Sequence, residues 1–169
     1  MLQVQPLGEP VSVADPAARR VACFVRLSSG LILHRPRVLL ADDNVRFMEL
    51  VSELLRHEFQ IISTARDGAA ALEVSIRLQP DLVVSDISMP VLSGLELATR
   101  LHTLNHRARI VIATMHVDVD LVRAARAIGA LGYVLKYRVH TDLPSALRHA
   151  LMGRPFVSPG LEVDQDGRP

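Results

Sequence analysis

The sequence predicts an α/β protein, a doubly wound parallel sheet of five strands with helices on both faces. Short apolar runs recur from Arg37 onward and alternate with segments whose apolar residues fall three and four apart, which is the pattern of repeated βα units. The first run, Val38 to Ala41, is apolar throughout, as expected of a strand buried on both faces. At 169 residues, with 49% hydrophobic and 22% charged, the chain can bury one substantial core. One domain with appendages is expected.

Residues 1–36 carry Pro6, Gly8, Pro10, Pro16, Gly30 and Pro36 without a sustained period, so they read as a mobile N-terminal extension with a short strand around Val21 to Val25. The first strand is Val38 to Ala41. Asn44 can cap the helix that follows, in which Phe47, Leu50, Val51, Leu54 and Leu55 form one apolar stripe. Strand two is Ile61 to Ala65, helix two Gly68 to Leu78, strand three Leu82 to Ser85, helix three Gly94 to Leu104, and strand four Ile110 to Ala113. A fourth helix, Leu121 to Ile128, stops near Gly129. The strand Tyr133 to Leu135 follows, then a last helix from about Leu143 to Met152, with Thr141 or Asp142 before it and Gly153 after it. The domain so defined covers 37–154, and 155–169 reads as a C-terminal tail.

Composition narrows the function classes. Nineteen basic and 18 acidic residues give a formal charge of +1, so no bulk electrostatic drive toward nucleic acid or an anionic membrane exists. Cys23 stands alone and cannot form an internal disulfide, which fits a reducing compartment and an inert thiol. No apolar run approaches the roughly 18 residues that span a bilayer. Arg19-Arg20 precede an apolar patch, but Arg26 interrupts it and Pro10 and Pro16 come before it, so a signal peptide reads poorly. A cytoplasmic protein without a membrane partner is expected.

Four of the strands end in reactive side chains: Asp42-Asp43, Asp86, Thr114, and Lys136, the single lysine in a chain with eighteen arginines. Right-handed crossovers bring the C-terminal ends of parallel strands to one rim, where doubly wound sheets bind ligands. Three crowded carboxylates call for a cation, and hard oxygen donors favour Mg²⁺, with Asp43 and Asp86 as direct ligands and Asp42 acting through water. An ammonium at Lys136 and a hydroxyl at Thr114 would neutralise a phosphoryl group in transfer, and a carboxylate can be its nucleophile. Taken singly these residues have plain roles: acids cap helices, Thr114 is a turn residue, Lys136 an exposed charge and Tyr133 a core aromatic. Their joint placement favours a site. No phosphate loop, dinucleotide fingerprint, nucleophile elbow or close Cys/His ligand spacing competes with it.

These residues resemble the receiver domain of two-component response regulators. The likeness runs from Arg37 to about Gly153 and rests on Asp42-Asp43 after strand one, Asp86-Ile87-Ser88-Met89-Pro90 with Gly94 after strand three, Thr114 after strand four, and Gly132-Tyr133-Val134-Leu135-Lys136. It implies a flavodoxin-like (βα)5 fold with strand order 2-1-3-4-5. It implies that Asp86 accepts a phosphoryl group from a sensor histidine kinase, with Mg²⁺ held by Asp43, Asp86 and the backbone carbonyl of Ser88 and assisted by Asp42. Lys136 would contact the phosphoryl group. Thr114 would shift toward it, Tyr133 would reorient, and the surface of helix four, strand five and helix five would change for a partner or for phosphorylation-dependent homodimerisation. Ser88 and His116 match positions that tune hydrolysis. The protein would be a switch that assists its own phosphorylation and dephosphorylation, not an enzyme acting on other substrates.

Within the family, Thr114-Met115-His116, the Gly132 to Lys136 segment and the exit Gly153-Arg154-Pro155-Phe156-Val157-Ser158-Pro159 resemble LuxR-type (NarL-like) regulators, as does Tyr137 after Lys136. Those continue into a helix-turn-helix, whereas ten residues follow Pro159 here, so direct DNA binding by this chain is not expected. A transcriptional regulator whose DNA-binding module is absent from this chain is the alternative. A haloacid-dehalogenase-like phosphatase is disfavoured, because it needs a second acid two residues after the nucleophile and those places hold Asn44 and Ser88. An unphosphorylated receiver-like scaffold is disfavoured because the acids, Thr114 and Lys136 are all present.

Overall fold

The computed structural model describes residues 24–27, 30–33 and 35–161, in two compact units divided after His34. In the first, Phe24–Leu27 and Gly30–Leu33 pair as an antiparallel hairpin. The expected strand around Val21 to Val25 overlaps it at Phe24 and Val25; its first three residues lie outside the described ones.

The second unit alternates strand and helix: β1 (Arg37–Ala41), α1 (Val45–Leu55), β2 (Gln60–Ala65), α2 (Gly68–Leu78), β3 (Leu82–Ser85), α3 (Gly94–Thr103), β4 (Arg109–Thr114), α4 (Val119–Ala127), β5 (Gly132–Leu135), α5 (Val139–Leu151) and β6 (Phe156–Val157). The sheet order is β2-β1-β3-β4-β5-β6, and every pairing is parallel. The first five strands keep the order 2-1-3-4-5 that the resemblance implies. All five expected strands are present, and Phe156 and Val157 add a two-residue sixth beside β5.

The winding follows from the pleat, since alternate residues of a strand face opposite sides. Val38 and Leu40 pack with Met48, Val51 and Leu55 of α1 and with Leu143 and Leu147 of α5. Leu39 and Ala41 belong to the opposite layer, with Ala71 of α2, Leu97 and Leu101 of α3 and Val122 of α4. Each face is closed by its own helices, so the strands can be apolar on both sides.

Side-chain caps fix most helix starts. Asn44 accepts from the Phe47 N–H, Asp67 from Ala70, and Asp118 from Asp120. Ser93 and Glu96 form a reciprocal capping box at α3. The exception is α5, which grows from the 3-10 turn Lys136–Arg138 without a side-chain cap and begins at Val139, four residues before the expected Leu143. Thr141 and Asp142 lie inside that helix and do not cap it. Pro144 is also interior and forgoes one backbone hydrogen bond.

Candidate functional site

β1, β3, β4 and β5 deliver their last side chains to one edge. Asp42 follows β1 and is 2% exposed; its N–H donates to the Ala65 carbonyl at 3.0 Å, which ties it to the end of β2. Asp86 follows β3 and is 7% exposed, with its N–H donating to Ala41 at 2.9 Å. Asp43 projects into solvent. Ligand oxygens of Asp42, Asp43 and Asp86 all lie within 4.8 Å of one another.

The β3–α3 turn is shaped by a close approach at Gly94. A Cβ there would fall 1.9 Å from the Asp86 carbonyl oxygen, so only glycine lets α3 start against the backbone of the acidic turn. Gly94 N–H donates to Ile87 O at 3.0 Å, and Ile87 N–H donates to Asp86 Oδ1 at 2.7 Å. The aspartate is thereby held by the turn that follows it.

Lys136 closes the cluster. Its ammonium donates to Asp86 Oδ2 at 2.9 Å, approaches Asp42 Oδ2 at 2.7 Å, and sits 4.7 Å from the centre of the Phe47 ring. Burial pushes the lysine pKa down, but the bonds and charges of Asp42 and Asp86 outweigh it and hold the group above its ordinary value. For Asp42 burial dominates and raises the carboxyl, with Lys136 and the Asn44 N–H pulling the other way and Asp86 adding to the rise. Asp42 Oδ1 accepts from Asn44 N–H at 2.9 Å. Asp42 Oδ2 is buried and meets the Lys136 ammonium at 2.7 Å, with no other donor bonding it among the described residues.

That oxygen tests the fit of a metal. Three carboxylates and one ammonium leave two negative charges in a partly buried cluster, with an accessible oxygen on Asp43 and an unsaturated one on Asp42. All available ligand atoms are hard oxygens, which suits Mg²⁺ and does not suit thiophilic metals. The residues present fit the ion.

Thr114, fully buried, ends β4 beside Leu135, and its Oγ1 accepts from the His116 N–H at 3.3 Å. Tyr133, on β5, is 2% exposed and its hydroxyl donates to the His116 carbonyl at 3.0 Å. Burial, with the charges of Asp118 and Asp86, pushes that phenol up to about 12, so it remains a donor. Exposed His116 places Nε2 2.9 Å from Ser88 Oγ, which joins the β4–α4 and β3–α3 loops at the rim. The structure therefore brings Asp42, Asp43, Asp86 and Lys136 into one cluster and links Thr114, Tyr133, Ser88 and His116 through a second network. Phe47, which the sequence places in the apolar stripe of α1, also belongs to the site. Its signal was its place in the first turn after Asp42-Asp43, where an aromatic face meets a cation at the rim.

Known proteins match this arrangement. The sequence pattern described as "Response regulator receiver domain" matches residues 38–148. The chain is 35% identical over 116 residues to the transcriptional regulatory protein PdtaR of Mycobacterium tuberculosis, covering 68% of this chain and 56% of that protein. It is 34% identical over 100 residues to the chemotaxis protein CheY of Halobacterium salinarum, covering 59% and 83%. The solved receiver domain of the putative response regulator NarL from Mycobacterium tuberculosis superposes with a TM-score of 0.69 at 29% identity, covering 72% of this chain and 99% of that one. A LuxR-family response regulator from Aurantimonas gives 0.72 at 29% identity, covering 76% and 93%. The chain spans little more than half the length of PdtaR. Receiver domains work as signalling switches and generally bind Mg²⁺ at an acidic pocket, and this chain gathers three aspartates at its rim. Fold, site and sequence agree: residues 38–148 make this chain a member of the response regulator receiver domain family of two-component systems.

Proposed function

We propose that Asp86 is the phosphoacceptor of a receiver switch served by a sensor histidine kinase. The carrying observation is the Lys136 ammonium, 2.9 Å from Asp86 Oδ2 and 2.7 Å from Asp42 Oδ2, beside a third carboxylate on Asp43. In the transfer, an Asp86 oxygen attacks phosphorus. The bond from phosphorus to the donor imidazole breaks, and that nitrogen keeps the electron pair and takes a proton from solvent.

Asp43, Asp86 and the Ser88 backbone carbonyl would hold Mg²⁺, with Asp42 acting through its water shell; when bound, the ion supplies charge stabilisation to the phosphoryl oxygens. Lys136 exchanges its carboxylate contacts for a phosphoryl oxygen. Thr114 Oγ1 donates to another oxygen, and its move draws on the His116 N–H that it now accepts from. Tyr133 responds because its hydroxyl is fixed to the same His116 backbone. Ser88 and His116, joined at 2.9 Å across the rim, set the access of hydrolytic water and so the lifetime of the acyl phosphate.

The surface of α4, β5 and α5 carries the output, by docking a protein partner or by homodimerisation. Among the described residues no helix is long and apolar enough to cross a membrane, and we place the switch in the cytoplasm, where kinase and phosphodonor are found. The test is incubation with a small acyl-phosphate donor and Mg²⁺. One base-labile phosphoryl group per chain is expected in the wild type and none in Asp86→Asn; equal labelling of that variant would move the acceptor elsewhere.

A further inference from the structure

The face expected to carry the output is already occupied by the chain's own exit segment. After α5, Phe156 and Val157 run parallel to β5; Phe156 N–H donates to Leu131 O at 2.8 Å and Ser158 N–H to Tyr133 O at 2.9 Å. The residues alternate as a strand requires, with Phe156 toward the α1/α5 layer and Val157 toward the α4 layer. Phe156 meets the His149 ring edge-on at 5.6 Å, and Leu161, 2% exposed, belongs to the same core cluster as Val122 and Tyr133.

Ser158 fastens this strap. It is fully buried, its hydroxyl donates to Asp142 Oδ2 at 2.7 Å, and its Oγ accepts from the Leu135 N–H at 3.1 Å. The Leu135 and Tyr133 backbones that hold it adjoin the switch: Leu135 immediately precedes Lys136, and the Tyr133 hydroxyl is bonded to the His116–Thr114 turn. Three hydrogen bonds thus run unbroken from Thr114 through His116 and Tyr133 to the strap.

We infer that residues 155–161 form a phosphorylation-coupled strap, docked over the β5 edge in the unphosphorylated state and loosened when Asp86 is occupied. The inference rests on Asp86 being the phosphoacceptor. The Ser158 clamp uses the Tyr133 carbonyl and the Leu135 N–H at once, so a shift of the β5 backbone strains both bonds. Drawing Lys136 and Thr114 toward a phosphoryl group displaces that backbone, and the strap loses its register. Release uncovers the β5 edge and the adjoining face of α4.

The experiment is hydrogen exchange on the full chain with Mg²⁺, with and without beryllium trifluoride, a tetrahedral phosphoryl mimic that binds an aspartate reversibly. Protection of the Phe156 and Ser158 amides should fall about tenfold on binding, within the range of ordinary allosteric couplings. Linkage demands the converse. Ser158→Ala should bind the mimic more tightly by a similar factor, while Asp86→Asn should bind none. Unchanged or increased strap protection with the mimic bound to Asp86 overturns the strap and leaves the phosphoacceptor standing. Failure of the wild type to bind the mimic at Asp86, together with failure to take label from a small donor, overturns both. If Ser158→Ala does not fold, the wild-type exchange data alone decide.

Discussion

Lys136 is distinguished by geometry as well as by its rarity. A compact ammonium reaches two carboxylates at 2.7 and 2.9 Å while lying over the Phe47 ring, whereas a planar guanidinium presents its donors in a fixed fork. Lys136→Arg should therefore keep Mg²⁺ binding within a few-fold, measured by calorimetry, yet lose most of the phosphorylation-dependent change, because the fork cannot follow the phosphoryl oxygen. Normal switching in that variant would make the charge alone sufficient. Asp142 is the other buried acid whose chemistry is fixed. Burial pushes it up, but hydrogen bonds from Arg138, Ser158 and Thr141 win and hold it below its ordinary value. A depressed carboxyl contributes stability above its unfolded pKa and loses it as pH falls through the folded one. The denaturant midpoint should thus decline on acidification below about pH 4 in the wild type, with a shallower acid limb in Asp142→Asn. Identical limbs would remove Asp142 from the acid response.

At the scale of elements, the start of α3 decides how Asp86 is presented. Gly94→Ala would drive a Cβ into the Asp86 carbonyl, a backbone atom that cannot rotate away. A loss of about 1–3 kcal/mol is expected from such overpacking, with slower phosphorylation because the whole turn must move. Ser93→Ala removes the capping box at the same helix end and should cost about 1 kcal/mol without touching Asp86, so comparing the two by urea denaturation separates helix stability from turn geometry. The strands and first four helices were legible because their signals are local: apolar runs closed by polar residues, apolar stripes at helical spacing, and Asn44 standing where a cap stands. α5 and β6 were not. Thr141, Asp142 and Pro144 imitate a helix start, and only the fold reveals that Asp142 turns inward to Ser158, sixteen residues later in the chain. A two-residue strand such as Phe156–Val157 has no period to detect; its partner on β5 creates it. The acidic cluster was readable in advance, since parallel topology alone sends those strand ends to one rim. The Ser88–His116 bond needed two loops to meet.

At the scale of the molecule, the cluster sets function against stability. Asp42, Asp43 and Asp86 carry three negative charges within 4.8 Å and Lys136 returns only one positive charge, so the folded state holds a repulsion that the unfolded chain disperses. Burial of Asp42 adds a desolvation cost, which raises that carboxyl more than the Asp86 charge does. Two consequences follow with opposite signs. Without metal, replacing one acid should make the protein more stable, so Asp43→Asn is expected to raise the urea midpoint. With metal, the order should reverse: a ligand that binds only the folded state stabilises it by about 2.7 kcal/mol at a hundred times its dissociation constant. Wild type should gain that increment as Mg²⁺ is titrated, while Asp43→Asn, short of one exposed ligand, should gain little at the same concentrations. Denaturation curves with and without Mg²⁺ on the two proteins decide the matter. A wild type insensitive to Mg²⁺, or a variant that gains as much, would mean that the three carboxylates are balanced by Lys136 and neighbouring dipoles alone, and that the rim is built for one cation and not for two.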